Sequence, residues 1–484
     1  MKILLANLPW INTEEFYGLR AGSRWPHLRN RKEMLEYYPF PFFLAYASAV
    51  LKEAGYEIIL KDCIAEGITK KDFINFSSEL KPDIAVFETS TPSIENDLEL
   101  SKLVKETTNA VIVLTGPHVT AMPSEALKEE YIDYVLCGEC DYVLRDLVSA
   151  LKNNSDTSII KGVCGKKNGK IFINERAPLI NNLDDLPYPL RESLPMTKYN
   201  DPFCKHTPNT QMLTSRGCPY GCIFCMEPWV YYGKSNYRMR SPKSVVDEMA
   251  FLIKKYNAKE IYFDDSSFSV NQERVKKICD EITTRGIKVF WSCMADAKLE
   301  EDTLRQMKKN GCVAVKFGVE SASPTILKNV NKPINLDNVK EVVNRCKKVG
   351  IETHATYMFG LPGETKETIK ETTDFAFALK TDTAQFSVAI PYPGTKFYEL
   401  AKENNWIIAK DWQDFSGSKS TIQYPNISPE EILNAANYCR KRIILKTVTN
   451  PRQAFQYLKS IYNYGGFYHL LHTIFQKLWY LIKH

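Results

Sequence analysis

Apolar residues along this chain follow two rhythms that take turns: short unbroken runs, and longer stretches in which they recur every three or four positions. A short apolar run bounded by turn residues reads as a strand buried on both faces, and the three-to-four rhythm as a helix with one face turned inward. Strands are expected at 2–6, 57–62, 83–88, 110–115 and 134–137, with helices at 42–55 and 95–107. Strand and helix in alternation predict a parallel, doubly wound sheet over residues 1–150. Residues 151–205 read as a linker, with a hairpin turning at Asn168-Gly169 and then the proline-stiffened run Leu183-Asp-Asp-Leu-Pro-Tyr-Pro189.

A second series occupies 206–400, with strands expected at 211–215, 260–263, 289–292, 314–319, 352–360 and 384–390 and helices such as 242–256 and 336–349 between them. Six strands with outer helices predict a partial (β/α)6 barrel, an open relative of the eight-unit barrel whose chemistry lies at the carboxyl ends of the strands. Residues 401–484 are helical in pattern, at 429–446, 451–462 and 467–483. The last of these puts Leu470, Leu471, Ile474, Leu478, Leu481 and Ile482 on one stripe. The fold class is α/β throughout, closed by this helical C-terminal region.

Composition alters the picture in two places. The 484 residues, 44% hydrophobic and 25% charged, are ordinary for globular protein, but the net charge of +6 is unevenly placed. From Arg440 to His484 there are eight Lys and Arg and no acid, so the basic excess lies in a tail that also carries nine aromatics. Such a tail (440–484) suits packing against the barrel mouth, cover over an apolar substrate, or peripheral contact with an anionic membrane. The opening run is broken at Pro9, too early for a signal peptide, and thirteen scattered cysteines, an odd number, suit reduced thiols. Both point to the cytoplasm, and a membrane contact by the tail would lie on its cytoplasmic face.

The chemistry concentrates in Cys218-Pro-Tyr-Gly-Cys222-Ile-Phe-Cys225, directly after the first barrel strand. Three thiolates on one loop can hold three irons of a [4Fe-4S] cluster and leave the fourth open. Gly217, Pro219 and Gly221 let the loop fold back so that the sulfurs converge. Zinc is the alternative, but zinc sites of this type draw on a second Cys or His pair, and none follows here. The spacing, with Phe224 before the last cysteine, resembles the radical S-adenosylmethionine superfamily. The resemblance implies that the open iron is chelated by S-adenosylmethionine, beside Phe224. It places Asp264 of Phe263-Asp-Asp-Ser266 near the methionine amino group, although the family's usual glycine pair is replaced here. It makes Glu320 and Ser321 a ribose and methionine clamp, and it packs Gly360 and Gly363 against the adenine.

Four loops of the first region, Asp62-Cys-Ile-Ala-Glu-Gly67, Thr89-Ser-Thr-Pro-Ser93, Gly116-Pro-His118 and Gly138-Glu-Cys-Asp141, together resemble the cobalamin-binding domain. The resemblance implies cobalamin contacts at Asp62, Gly67, Ser90, Gly116 and Gly138. The position of the family's cobalt-ligating histidine is Ile64, which implies a cobalt without imidazole beneath it. An ordinary flavodoxin-like domain without cofactor is the alternative. Cys137 and Cys140 have redox-dithiol spacing but read as reduced thiols, His118 reads as a polar wall residue, and 20–26 as a cover for corrin or substrate or a solvated loop.

Taken together, the two resemblances imply an enzyme that generates a 5′-deoxyadenosyl radical and methylates an unactivated carbon of a small or lipid-like substrate, with flavodoxin or ferredoxin as electron donor. Oxidative cyclisation is the nearest alternative. A tRNA-modifying radical enzyme would carry a small RNA-binding barrel at its end, which the helical tail does not resemble, so no nucleic acid is expected. A non-enzymatic cobalamin or iron-sulfur sensor is the remaining reading.

Overall fold

The computed structural model describes residues 1–10, 16–19, 27–30, 37–201 and 203–449, and the single positions 454, 458, 471 and 474. Segment 20–26, the helices expected at 451–462 and 467–483 and most of the basic tail lie outside the described residues. No helix among the described residues is long and apolar enough to cross a membrane.

The first sheet is built on Lys2–Asn7, which runs parallel between Glu57–Asp62 and Ile84–Glu88. Val111–Thr115 and Tyr134–Leu136 continue the parallel series. Every residue of Ile84–Glu88 is buried, which is why its apolar run is unbroken: helices cover both faces. On one side Phe42–Glu53 and Asp141–Lys152 bring Leu44, Leu51, Leu144 and Leu147 together; on the other, Lys70–Leu80 and Ile94–Thr108 contribute Phe73, Leu100 and Val104.

The hairpin at Asn168-Gly169 is not part of a linker. Val163–Lys167 pairs antiparallel with Tyr134–Leu136, and Lys170–Ile173 pairs with it in turn, so the hairpin extends the first sheet to seven strands. Its turn residues have φ of 52° and 74°, the left-handed pair that matches strand twist.

The second sheet has six parallel strands in chain order: Asn209–Met212, Glu260–Phe263, Phe290–Met294, Cys312–Glu320, Glu352–Phe359 and Thr383–Val388. Phe263, Phe268 and Trp291 pack ring to ring in its core, with centroids 4.8–5.6 Å apart. Helix starts are fixed by side chains that accept backbone N–H groups, among them Ser241, Asn271, Asn335 and Thr365. The first strand is shorter than expected. It ends at Met212, and after two residues Ser215–Arg216 forms a separate two-stranded ribbon with Arg238–Met239.

After the helix Lys396–Glu403 the chain holds only a short 3-10 turn, Trp412–Ser416, before Pro429. It runs as a strap back onto the first sheet, where the Trp412 indole N–H donates to Glu125 at 2.9 Å, and only then forms Pro429–Thr449 against the last barrel strand.

Candidate functional site

The three cysteines lie on the excursion 217–237, which starts and ends on the ribbon of Arg216 and Arg238. Its backbone is tied down by two hydrogen bonds from within and two to the segment 330–331. Asn236 N donates to Cys218 O at 3.0 Å, Asn331 Nδ2 to Gly221 O at 3.0 Å, Trp229 Nε1 to Cys222 O at 2.9 Å, and Ile223 N to Val330 O at 3.1 Å. Gly217 sits at φ 85°, and a Cβ there would come within 2.4 Å of the Asn236 side chain, so glycine is required where the chain turns in. A π-helical turn, Glu227–Tyr231, follows Cys225 at once and hydrogen-bonds to Ser266 through Glu227.

With the backbone held, the thiols are left for another partner. Burial pushes Cys218 up to about 11 and raises Cys222 and Cys225 as well, so the sulfurs become thiolates only against a strong positive charge. Among the described residues no three His, Cys, Asp or Glu side chains meet closely enough to ligate a single ion. Three neighbouring cysteines are soft donors of the kind that hold an iron-sulfur cluster through three of its irons.

Around this loop the barrel strands end in a mixed set. Phe224 is buried in the barrel core. Asp264 is half-buried and holds the end of the first strand through its N–H to Met212 O at 2.9 Å. Its neighbour Asp265 is fully buried and accepts from Thr214 N at 2.6 Å and Ser215 N at 3.1 Å, a structural clamp. Glu320 has φ of 69°, at an irregularity in the strand register. Left-handed backbone is unfavourable for a glutamate and persists only where the surroundings hold it. The turn is closed by the Ser321 N–H on Val319 O at 2.9 Å, and the side chain is held by Lys332, whose Nζ lies 3.1 Å from Glu320 Oε1. Burial works against the charge on Lys332, but Glu320 more than offsets it and the ammonium is stabilised, facing Cys222 and Cys218.

Three other residues assigned to S-adenosylmethionine are placed differently. Ser321 is fully buried and spends its hydroxyl on Thr372 Oγ1 at 3.1 Å and Ser323 N at 3.1 Å, so it shapes the turn and is not a free clamp partner. Gly360, at φ 88°, faces Ile432 and Ile422, and its carbonyl accepts from Tyr424 OH at 2.9 Å; its open side is filled by the C-terminal segment. Gly363 lies so close to Asn329 that a Cβ would come within 2.5 Å of it. It lines a cavity of about 370 Å³ with Asn329, Glu364, Trp406, Tyr424 and Asn426.

The loops of the first sheet meet most of their polar groups internally, although His118 Nε2 is buried without a hydrogen-bond partner among the described residues. Asp62 accepts from Asn7 Nδ2 at 2.8 Å, Ala65 N at 3.3 Å and Tyr199 OH at 2.9 Å, capping the short helix Cys63–Glu66; burial nevertheless pushes its carboxyl up to about 6. Gly67 ends that helix at φ 73° with open space around it. Ile64 presents hydrocarbon, with no lone pair for a metal. Ser90 and Ser93 share a hydroxyl contact of 2.8 Å that starts the following turn. Gly116 is needed because a Cβ would lie 2.3 Å from Thr89 O, so it serves strand approach. Gly138, at φ 84°, faces Tyr231 O of the cysteine excursion. Cys137 has its sulfur 3.6 Å from Cys164, not on Cys140. His118 is fully buried under Trp412, ring centroids 5.1 Å apart, and burial lowers it to about 4; it is a core imidazole and not an open wall.

Sequence reading missed a buried ionic quartet where the two bodies meet. Arg216 Nη1 donates to Glu139 Oε1 and to Asp141 Oδ2, both at 2.7 Å, and Nη2 to Asp141 Oδ1 at 3.1 Å. Arg238 Nη1 donates to Glu139 Oε2 at 2.8 Å. Burial pushes the Glu139 carboxyl upward, but Arg216 and Arg238 pull it below its ordinary range. Lys332 was missed as well, and the only sequence signal for either was a basic residue beside a glycine or asparagine turn.

The whole arrangement has known counterparts. Residues 212–376 match the model of the radical SAM superfamily, and residues 34–148 that of the B12-binding domain. An uncharacterized methyltransferase of Pyrococcus horikoshii is 32% identical over 84% of this chain and 90% of its own length. An anaerobic magnesium-protoporphyrin IX monomethyl ester cyclase of Cereibacter sphaeroides is 28% identical over 88% of this chain and 68% of its own. Among solved structures, the radical S-adenosylmethionine methyltransferase TsrM of Kitasatospora setae, with cobalamin and a [4Fe-4S] cluster bound, superposes with a TM-score of 0.70 at 17% identity, covering 100% of this chain and 99% of that one. OxsB, with aqua-cobalamin and S-adenosylmethionine bound, gives 0.69 at 16% identity over 99% and 75%. At those identities the likeness is one of fold.

Proposed function

Because this chain belongs to the radical S-adenosylmethionine superfamily, in the group that also carries a B12-binding domain, we propose that it is a cobalamin-dependent radical enzyme transferring a methyl group to carbon of a small molecule. The observation that carries this reading is the cysteine excursion: three thiols on a loop whose backbone is already hydrogen-bonded, at the carboxyl ends of parallel strands and against a glycine loop of the first sheet. Cys218, Cys222 and Cys225 would hold the cluster, Asp264 and Glu320 would orient S-adenosylmethionine, and the loops at Gly67 and Gly138 would face the corrin. When bound, these three groups supply one-electron chemistry and a transferable methyl group.

The chain's own residues bind, orient and shield. Lys332 supplies positive charge beside Cys218 and Cys222, where thiolates are otherwise penalised by burial. Glu320 sits in a strained backbone geometry with its carboxylate paired to Lys332, so the carboxylate is placed before any ligand arrives. The strap through Trp412 closes water out over His118. Likeness to the Cereibacter cyclase supports a second reading, ring closure on a tetrapyrrole. An acidic flavodoxin or ferredoxin would serve as reductant.

Anaerobic reconstitution with iron, sulfide and hydroxocobalamin, followed by reduction with S-adenosylmethionine present, tests the proposal. Formation of 5′-deoxyadenosine and a methylated product is expected. Protein that binds iron and cobalamin but yields neither 5′-deoxyadenosine nor S-adenosylhomocysteine would be a sensor and not an enzyme.

A further inference from the structure

The excursion that carries all three cysteines stands on two feet, Arg216 and Arg238, which face each other across the ribbon. Both guanidiniums reach the same carboxylate, Glu139, at 2.7 and 2.8 Å, and Arg216 also grips Asp141. Glu139 and Asp141 belong to the loop 138–141 of the first sheet, whose Gly138 touches Tyr231 O of the excursion. Side-chain exposure is 2% for Arg216, 3% for Glu139, 0% for Asp141 and 10% for Arg238, so water screens the quartet little. Two positive and two negative groups balance. Asp141 begins the helix Asp141–Lys152, where the helix dipole favours a carboxylate. Tyr46 stacks under the Arg216 guanidinium at 4.8 Å and fixes its plane.

Removing one member of such a group leaves a buried charge uncompensated, so the quartet tolerates only arrangements in which both loops keep their places. The joint is nonetheless not packed solid. A crevice of about 150 Å³ lies beside it, lined by Cys137, Gly138, Glu139, Arg176, Tyr231 and Lys234, so the side chains around the joint can adjust while the quartet stays paired.

We propose that Arg216, Arg238, Glu139 and Asp141 form a coupling joint between the cysteine excursion and the loop 138–141, so that filling the cluster site tightens the corrin site and the reverse. The four are positioning residues. None is asked to touch a reacting atom, and the coupling is reciprocal by thermodynamic linkage, with factors of about 5- to 150-fold typical of such links. This inference rests on the function proposed above, because it needs both groups to bind.

Equilibrium dialysis of hydroxocobalamin against full-length protein, with and without the reconstituted cluster and under anaerobic conditions, measures the link directly. In the wild-type chain the cluster is expected to tighten cobalamin binding at least about 5-fold, and cobalamin to alter the paramagnetic resonance spectrum of the reduced cluster. Glu139→Gln keeps the shape and removes the shared charge. It is expected to bind each group alone and to bring the ratio to one, with the spectrum indifferent to cobalamin, while Arg216→Lys retains part of the ratio. Should Glu139→Gln fail to fold, Glu139→Gln/Arg238→Gln, which restores charge balance, takes its place with the same expectation. A wild-type ratio of one, or an undiminished ratio in the folded variant, overturns the coupling and leaves the function standing. If the wild type binds neither group, the function falls and the coupling with it.

Discussion

The two parallel sheets end differently, and the difference separates scaffold from chemistry. At the carboxyl ends of the first sheet, polar groups are spent on the protein itself: Asp62 on three donors, Ser90 on Ser93, Gly116 on clearance from Thr89. At the ends of the barrel strands the groups are costly. Three thiols, Cys222 buried and the other two partly so, are raised by desolvation, and Glu320, in left-handed backbone, has its carboxylate paired with the half-buried Lys332. A fold accepts unmet chemistry only where other contacts compensate, and here those contacts are the hydrogen bonds that hold the backbone of the cysteine loop. The first sheet offers a shaped surface; the barrel offers reactive groups.

Three changes sharpen or break that contrast. Cys218→Ala, Cys222→Ala and Cys225→Ala should each remove the cluster absorbance and 5′-deoxyadenosine altogether, while thermal unfolding of the iron-free protein shifts only slightly, since the Cys218 and Cys225 sulfurs support only single backbone N–H groups, of Tyr220 and Glu227. Iron retained at full stoichiometry in all three variants would end the contrast outright.

Next in size is Glu320→Gln. It strands the Lys332 charge and should cost about 3–5 kcal/mol in denaturant unfolding. Adding Lys332→Met should restore most of that stability but none of the product. If the double variant regained activity, the strained glutamate would be scaffold like Asp62.

The smallest effect lies in the first sheet. Burial raises the Asp62 carboxyl from 3.8 to about 6, so between those values the folded chain binds a proton that the unfolded chain releases. Its contribution to stability is therefore largest at low pH and is lost as pH rises from about 4 to 6, by at most about 3 kcal/mol. Asp62→Asn should lack this step, and the difference in melting temperature between variant and wild type should move in the variant's favour over that interval. A difference flat with pH would mean that Tyr199, Asn7 and Ala65 compensate the charge in full.

Much of this molecule could be read from residue order. Ile84–Glu88 is visible because a parallel strand under helices carries an unbroken apolar run. Pro242–Tyr256 is visible because Ser241 caps it and Pro242 fits its first turn. The cysteine loop is visible because its ligands are neighbours in the chain. What stayed hidden is long-range. Asn168-Gly169 announces a turn but not that Val163 will pair with Leu136. Arg216 and Asp141 are 75 positions apart, and no period links them. Ser321 and Gly360 were located correctly at strand ends, but the direction each faces depends on Thr372 and Ile432, which arrive later in the chain.

The strap through Trp412 sets an order of events during synthesis. The hydrogen bond from Trp412 to Glu125 spans 287 residues. A ribosome adding about 5–20 residues per second needs roughly 15–60 s to cross that interval. Through that time the nascent first sheet exists without the lid over His118, so its open face must wait, unsealed, until the barrel that follows has been made.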